Sequence, residues 1–411
     1  MNPVPELLRR GANAAFGRGI DMRAVDDVAD QLIAYQQFDP LGLGSHELTT
    51  TIDAAYEAGW QPLDLLHVVR RQQSAAVTTL AAAAILHDAD LTRAATRAPE
   101  EWLRHLHEIA DAHPDAVSPG KPDPNFLAAR LRVGGKSDYI AVNDQWIAVL
   151  SLLGQWQSLP HWPRIGSLPS QWPARRTAGG PTGDRRPTGS TDSKMLGRIR
   201  GLLAKADATE FEDEADTFTA KAQELMTKYS IDSLVLTEGR SDIVSRRIHV
   251  DNPHSAAKAQ LLHVVATVNR VKTIWDQDFA VGTVVGSPVD VEQTEILFTS
   301  LLIQATRALS HSPKAKKRKG ASSGAFGKAF LYSYAVRIGE RLEEADAHVL
   351  EEASRETGDL LPMLAAQTVA VDAEFERLFP RVRTVRGPRL DAEGWESGHA
   401  AANDADLHRQ R

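Results

Sequence analysis

The residues best placed to do chemistry in this chain are the cations of Lys314-Ala-Lys316-Lys317-Arg318-Lys319, five in six positions, followed by Gly320-Ala-Ser322-Ser323-Gly324. Such a run cannot pack inward. Each cation can contact a phosphate and release counterions, which gives salt-sensitive affinity for nucleic acid. The Gly/Ser stretch would let a loop follow a backbone, and the plain alternative is a solvated loop between two helices. Phe326, Phe330 and Tyr334 follow at i, i+4 and i+8. Aromatics beside cations can stack on single-stranded bases, but Ile338 and Leu342 continue the stripe, so it reads as core.

Other candidate chemistries are weaker. Ser322 to Ala329 superficially resembles a phosphate-binding loop, yet serine stands at its first glycine position and alanine follows Lys328 where a magnesium ligand is needed. His105, His107, Glu108, Asp111 and His113 have partial metal-site spacing. Aspartate replaces the second histidine of a zinc helix, no third ligand is visible, and a surface-polar helix is the better reading. Glu210, Glu212, Asp213, Glu214 and Asp216 lack the alternating oxygens and turn glycine of a calcium loop, and they suit the positive end of a helix. His249, Asp251, His254 and His263 flank a strand-to-helix junction. No nucleophile motif appears. The expectation is therefore no catalytic residue, no metal and no cofactor.

The elements that position these residues can be read from the pattern. Among 411 residues, 42% are hydrophobic and 25% charged, with net charge −7 and no cysteine. The length allows two or three domains. The negative balance confines nucleic-acid binding to a local patch. The absence of cysteine removes disulfides, thiolate zinc sites and cysteine nucleophiles. No segment offers the ~20 apolar residues that a membrane span needs, and a soluble cytoplasmic protein is expected.

Residues 1–175 read as an all-helical domain with a Pro/Trp-rich end. Its helices include one over Met22–Gln36, one capped near Ser45, and others opened by Pro62 and Pro99. Residues 176–192 read as a flexible linker, 193–232 as a helical hairpin, 233–360 as an α+β unit and 361–411 as a partly disordered tail. In the hairpin, Thr209 and Glu212 fit a capping box, and Leu202, Phe218, Leu225 and Tyr229 are expected to share a core with the α+β unit. There, Ile243–Val250, Val271–Trp275 and Phe279–Val285 alternate as strands, with a tight turn at Asp276–Asp278. Ser287-Pro288 opens a helix. The fold class is mainly α, with a short sheet covered by helices.

The hairpin residues Ile199-x-x-Leu202-Leu203-Ala204, Glu214-Ala215 and Ala222-Gln223-Glu224-Leu225-Met226-x-x-Tyr229-x-Ile231 form a specific pattern. It is similar to the bacterial and phage family called domain of unknown function 2786. Gly286, Asp290 and the stretch Phe326–Leu342 resemble the companion domain that often follows that hairpin, and Gly394–Ala401 resembles a glycine–alanine element of longer members. The resemblance brings no established activity and no catalytic residues. It implies a place near nucleic-acid metabolism. The function expected is a non-enzymatic accessory or binding protein that contacts nucleic acid, or a protein of nucleic-acid metabolism, through the Lys314–Lys319 loop. The alternatives are an enzyme with an unrecognised polar site in the α+β unit, joining His249, His254, Asp276 and Asp290, and a protein-interaction scaffold.

Overall fold

The computed structural model describes residues 2–17, 19–118, 123–131, 139–174, 190–209, 212–237, 242–317, 320–356, 358–382 and 391–404. The chain divides into two compact units, Met1–Asp184 and Arg185–Arg411.

The first unit is helical: α1 (Val4–Ala15), α2 (Met22–Ala34), α3 (Pro40–Glu57), α4 (Pro62–Gln72), α5 (Ala75–Leu91), α6 (Ala94–Arg97), α7 (Glu100–Ala112), α8 (Phe126–Leu131) and α9 (Tyr139–Gln157). α3 starts five residues before the expected cap. Asp39, not Ser45, caps it by accepting from the Gly42 amide at 3.1 Å, and Pro40 takes the first helical position. Gly42 and Gly44 weaken the helical signal there. Ser45 is instead buried inside α3, donating to the Leu41 carbonyl and accepting from the Leu127 amide. The tryptophan-rich end folds back onto the helices. Trp162 packs on Trp60 and Trp172 on Trp102, with ring centroids 4.3 and 4.9 Å apart. Beyond it, residues 175–189, which hold most of the expected linker, lie outside the described residues.

The second unit opens with the helical hairpin α10 (Ser190–Ala208) and α11 (Glu212–Leu236). Strands β1 (Val244–His249), β2 (Lys272–Asp276) and β3 (Val281–Gly286) make one antiparallel sheet of order β1-β3-β2. Register pairs Arg246 and Thr273 on opposite sides of Val284. The central strand is buried throughout. At the β2–β3 turn the Asp276 carboxylate accepts from the amides of Asp278 and Phe279, each at 3.0 Å, which substitutes for backbone turn bonds. α12 (Ser255–Val268) crosses between β1 and β2. α13 (Pro288–His311) follows β3, with Ser287 accepting from the Asp290 amide.

The stretch after His311 is less loop-like than its composition predicts. Pro313 opens a one-turn helix, α14 (Pro313–Lys316), and α15 (Ala321–Glu356) takes in part of the Gly/Ser stretch expected as loop, so Ser323 and Gly324 are helical. Two further helices, α16 (Leu360–Leu378) and α17 (Ala392–Asp404), occupy much of the stretch read as a tail, while 383–390 and 405–411 lie outside the described residues. Gly394 and Gly398 let α17 lie directly on α15: a Cβ there would stand 2.6 Å from the Phe326 carbonyl oxygen and 2.1 Å from that of Phe330.

Ile199 and Leu203 of α10 and Ala222 and Met226 of α11 enter the same core as Val284, Val265, Phe298, Phe326 and Phe330. The hairpin and the α+β elements therefore form one packed body. The facing residues differ in part from the expected set. Tyr229 is buried and Leu202 and Leu225 pack at the core's edge, but Phe218 is only half-buried. The Lys205 ammonium lies over its ring, 5.6 Å from the centroid. Among the described residues no helix is long and apolar enough to cross a membrane.

Candidate nucleic-acid interface

The basic run sits at the C-terminal end of α13. Lys314, Lys316 and Lys317 are exposed, and among the described residues none forms an ion pair. Ala315 turns the other way, onto the edge of the core. The short helix is thus anchored by its one apolar residue and presents its lysines to solvent. Arg318 and Lys319 lie outside the described residues. Many other surface cations are neutralised locally, as in Arg9–Glu6, Arg337–Glu340 and Arg377–Glu374.

The hairpin loop reaches the same end of α13. Arg307 donates to the carbonyl oxygens of Asp207 at 2.6 Å and Thr209 at 3.3 Å, and Ser300 donates to the Asp207 carboxylate. At the other end Arg200 pairs with Glu292 at 2.6 Å. α10 and α13 therefore run in the same direction, while Lys205 of α10 lies over the Phe218 ring of α11. Thr209 donates to Glu214 at 2.9 Å, and the Glu212 side chain of the expected capping box lies outside the described residues.

The other candidate groups have separate surroundings. His105 is buried near Glu101 while His107 is exposed, so the two face apart. No group of three or more His, Asp or Glu side chains that could hold a metal occurs among the described residues. Asp276 serves its own turn, and the His263 ring meets the Thr273 hydroxyl at 2.8 Å. His254 packs against Gly327 of α15, where a Cβ would stand 2.7 Å from its Nε2. Burial, with the positive charges of Lys258 and Lys328, pushes its pKa below the usual histidine value. Lys258 is also shifted down, by burial, with Asp251 opposing.

A buried polar cluster unites four helices of the second unit, α11, α13, α15 and α16, with the turn between α12 and β2. Asp290, fully buried, accepts from Ser230 at 2.6 Å, Ser287 at 2.7 Å and Gln367 at 2.9 Å. Arg270, in the left-handed conformation at φ 60°, places its guanidinium 3.8 Å from Asp290 and 3.4 Å from Asp346. Thr227 donates to Asp346 at 2.8 Å. With every carboxylate met by hydroxyls, an amide or the guanidinium, the cluster works as an internal fastening. Sequence reasoning singled out only Asp290 and the helix-opening Ser287 from it.

The segment that supplies Thr227 and Ser230 is the part with known relatives. Residues 194–233 match the family described as Protein of unknown function (DUF2786). No curated protein and no solved structure matches the chain. The DUF2786 segment coincides with the helical hairpin, and the structure shows what its second helix does locally. Its apolar face, with Ala222 and Met226, enters the core, while Thr227 and Ser230 engage the acids of α15 and α13. Past the DUF2786 segment, α11 ends in two exposed apolar residues, Val235 and Leu236.

Proposed function

We propose that this protein is a non-enzymatic accessory factor that binds nucleic acid through the lysines of α14. The observation that carries this reading is the exposure of Lys314, Lys316 and Lys317 without carboxylate partners among the described residues, in a chain of net charge −7. Phosphate oxygens satisfy such ammonium groups, and counterion release supplies the driving force. Asp207 and Thr209 of the hairpin lie toward the same end of α13, held by Arg307. Phe326 and Phe330 are buried, so base stacking on them is not part of the proposal. The chain would track a phosphate backbone and read little sequence. Affinity isolation with and without nuclease tests this. Nucleic acid should accompany the protein and be lost on digestion. Isolation of bare protein from both samples would contradict the reading.

A protein-docking function has one observation in its favour. Leu236 is 79% exposed, and on α16 Leu361 and Val369 are 64% and 68% exposed. Large apolar side chains held in water suit a partner surface. A protein partner retained after nuclease digestion would support this second reading.

A further inference from the structure

We propose that His254, Lys258 and Lys328 form a discrete binding site for a phosphate group, separate from the α14 lysines. The site is assembled from two segments distant in sequence. His254 ends the loop after β1 in the left-handed conformation, φ 65°, which turns its ring onto α15. Gly327 makes that approach possible, since any side chain there would collide with Nε2. Lys328 is the next residue of α15, and Lys258 stands four residues beyond His254 on α12, one helical turn away.

The charges acting on the His254 ring are all of one sign, those of Lys258 and Lys328, both positive. Asp251 acts on Lys258, and its carbonyl oxygen accepts from the Lys258 ammonium at 2.9 Å. Among the described residues the His254 ring has no hydrogen-bond partner, although its carbonyl accepts from the amides of Ala257 and Lys258, and Lys328 has no ion pair. Two positive charges acting on a half-buried imidazole, with Asp251 offsetting Lys258 alone, favour the arrival of an anion. A phosphate group matches the donors, because its oxygens accept from two ammonium groups and a ring N–H together, as charge-assisted bonds. The same chemistry is offered by a nucleic-acid backbone and by a free phosphate.

The test uses the full chain with isotope-labelled histidine, the His254 signal being assigned by its loss in His254→Gln. The His254 pKa is followed by NMR at constant ionic strength, with chloride alone, with inorganic phosphate, and with a thymidine oligonucleotide lacking terminal phosphates. Phosphate should raise the pKa saturably, by about one unit, because an adjacent anion favours imidazolium. Lys328→Gln, and independently Lys258→Gln, should keep the fold and abolish the saturable rise. A rise with the oligonucleotide as well assigns the site to a nucleic-acid backbone, and a rise with inorganic phosphate alone assigns it to free phosphate. Gln replacement of Lys314, Lys316 and Lys317 should leave the inorganic-phosphate response intact, which separates this site from the α14 reading. A His254 pKa that neither probe moves, or a rise that persists unchanged in both lysine variants, would overturn the proposal.

Discussion

The hydroxyl of Ser230 donates to the carboxylate of Asp290 at 2.6 Å, joining the second helix of the DUF2786 hairpin to the first turn of α13. Asp290 has no exposure to solvent and draws two further hydrogen bonds, from Ser287 and Gln367. Removing the carboxylate strands Arg270 beside Asp346 alone. Asp290→Ala should cost about 3–5 kcal/mol, the range for breaking a buried ionic cluster from one side. Ser230→Ala should cost about 1–3 kcal/mol, since it leaves one acceptor under-satisfied. Urea unfolding of the two variants measures both. Unchanged midpoints would mean that the hairpin is not fastened through Asp290.

In the first unit, Asp88 is buried on α5, and burial, reinforced by the charge of Asp53, raises its pKa to about 8. The folded chain then keeps a proton that the unfolded chain releases near the ordinary value of 3.8. Between these values the native state binds more protons, so stability falls as pH rises. The stabilising contribution is complete below about pH 4 and lost by about pH 8. Asp88→Asn keeps the neutral shape and should flatten this slope, leaving the variant more stable than wild type at the alkaline end. Unfolding curves followed by tryptophan fluorescence across that range provide the check, and parallel pH profiles for the two proteins would refute it.

The pairing of α17 with α15 depends on the absence of side chains at Gly394 and Gly398. At Gly398 the obstacle is the carbonyl oxygen of Phe330, a backbone atom that cannot rotate aside. Gly398→Ala should therefore separate the helices and cost about 1–3 kcal/mol. Hydrogen exchange should report faster opening of α17, with the DUF2786 hairpin unaffected. Equal protection of α17 in wild type and variant would show that the contact tolerates a methyl group.

The sheet, its Asp276 turn and the Ser287-Pro288 helix start were legible in the sequence because each rests on local chemistry: alternation, an Asx turn and a cap. The DUF2786 hairpin was legible from its apolar spacing. What escaped depends on contacts between distant residues. Thr227, Ser230, Arg270, Asp346 and Gln367 are polar residues of the kind that normally mark solvent faces, and only the tertiary fold brings them around Asp290. Phe218 has the spacing of a core residue, yet a lysine covers it. Gly394 and Gly398 lie in the stretch expected as a partly disordered tail, whereas here they let a helix lie against backbone. The candidate interface was legible as a charge run. Its division into an anchored one-turn helix was not, because Ala315 gives almost no apolar signal.

The claim that α14 contacts phosphates is tested most directly by titrating salt against binding of single- and double-stranded probes, comparing wild type with the variant carrying Gln at 314, 316 and 317. Each lysine that meets a duplex phosphate adds about 0.9 to the slope of log affinity against log salt, and about 0.7 on a single strand. The account predicts that wild type binds at about 50 mM salt, where phosphate contacts are strongly expressed, and that the variant folds normally, binds more weakly and has a slope smaller by about 2–3 on duplex. Absence of wild-type binding at low salt, or a variant with an unchanged slope, would contradict it.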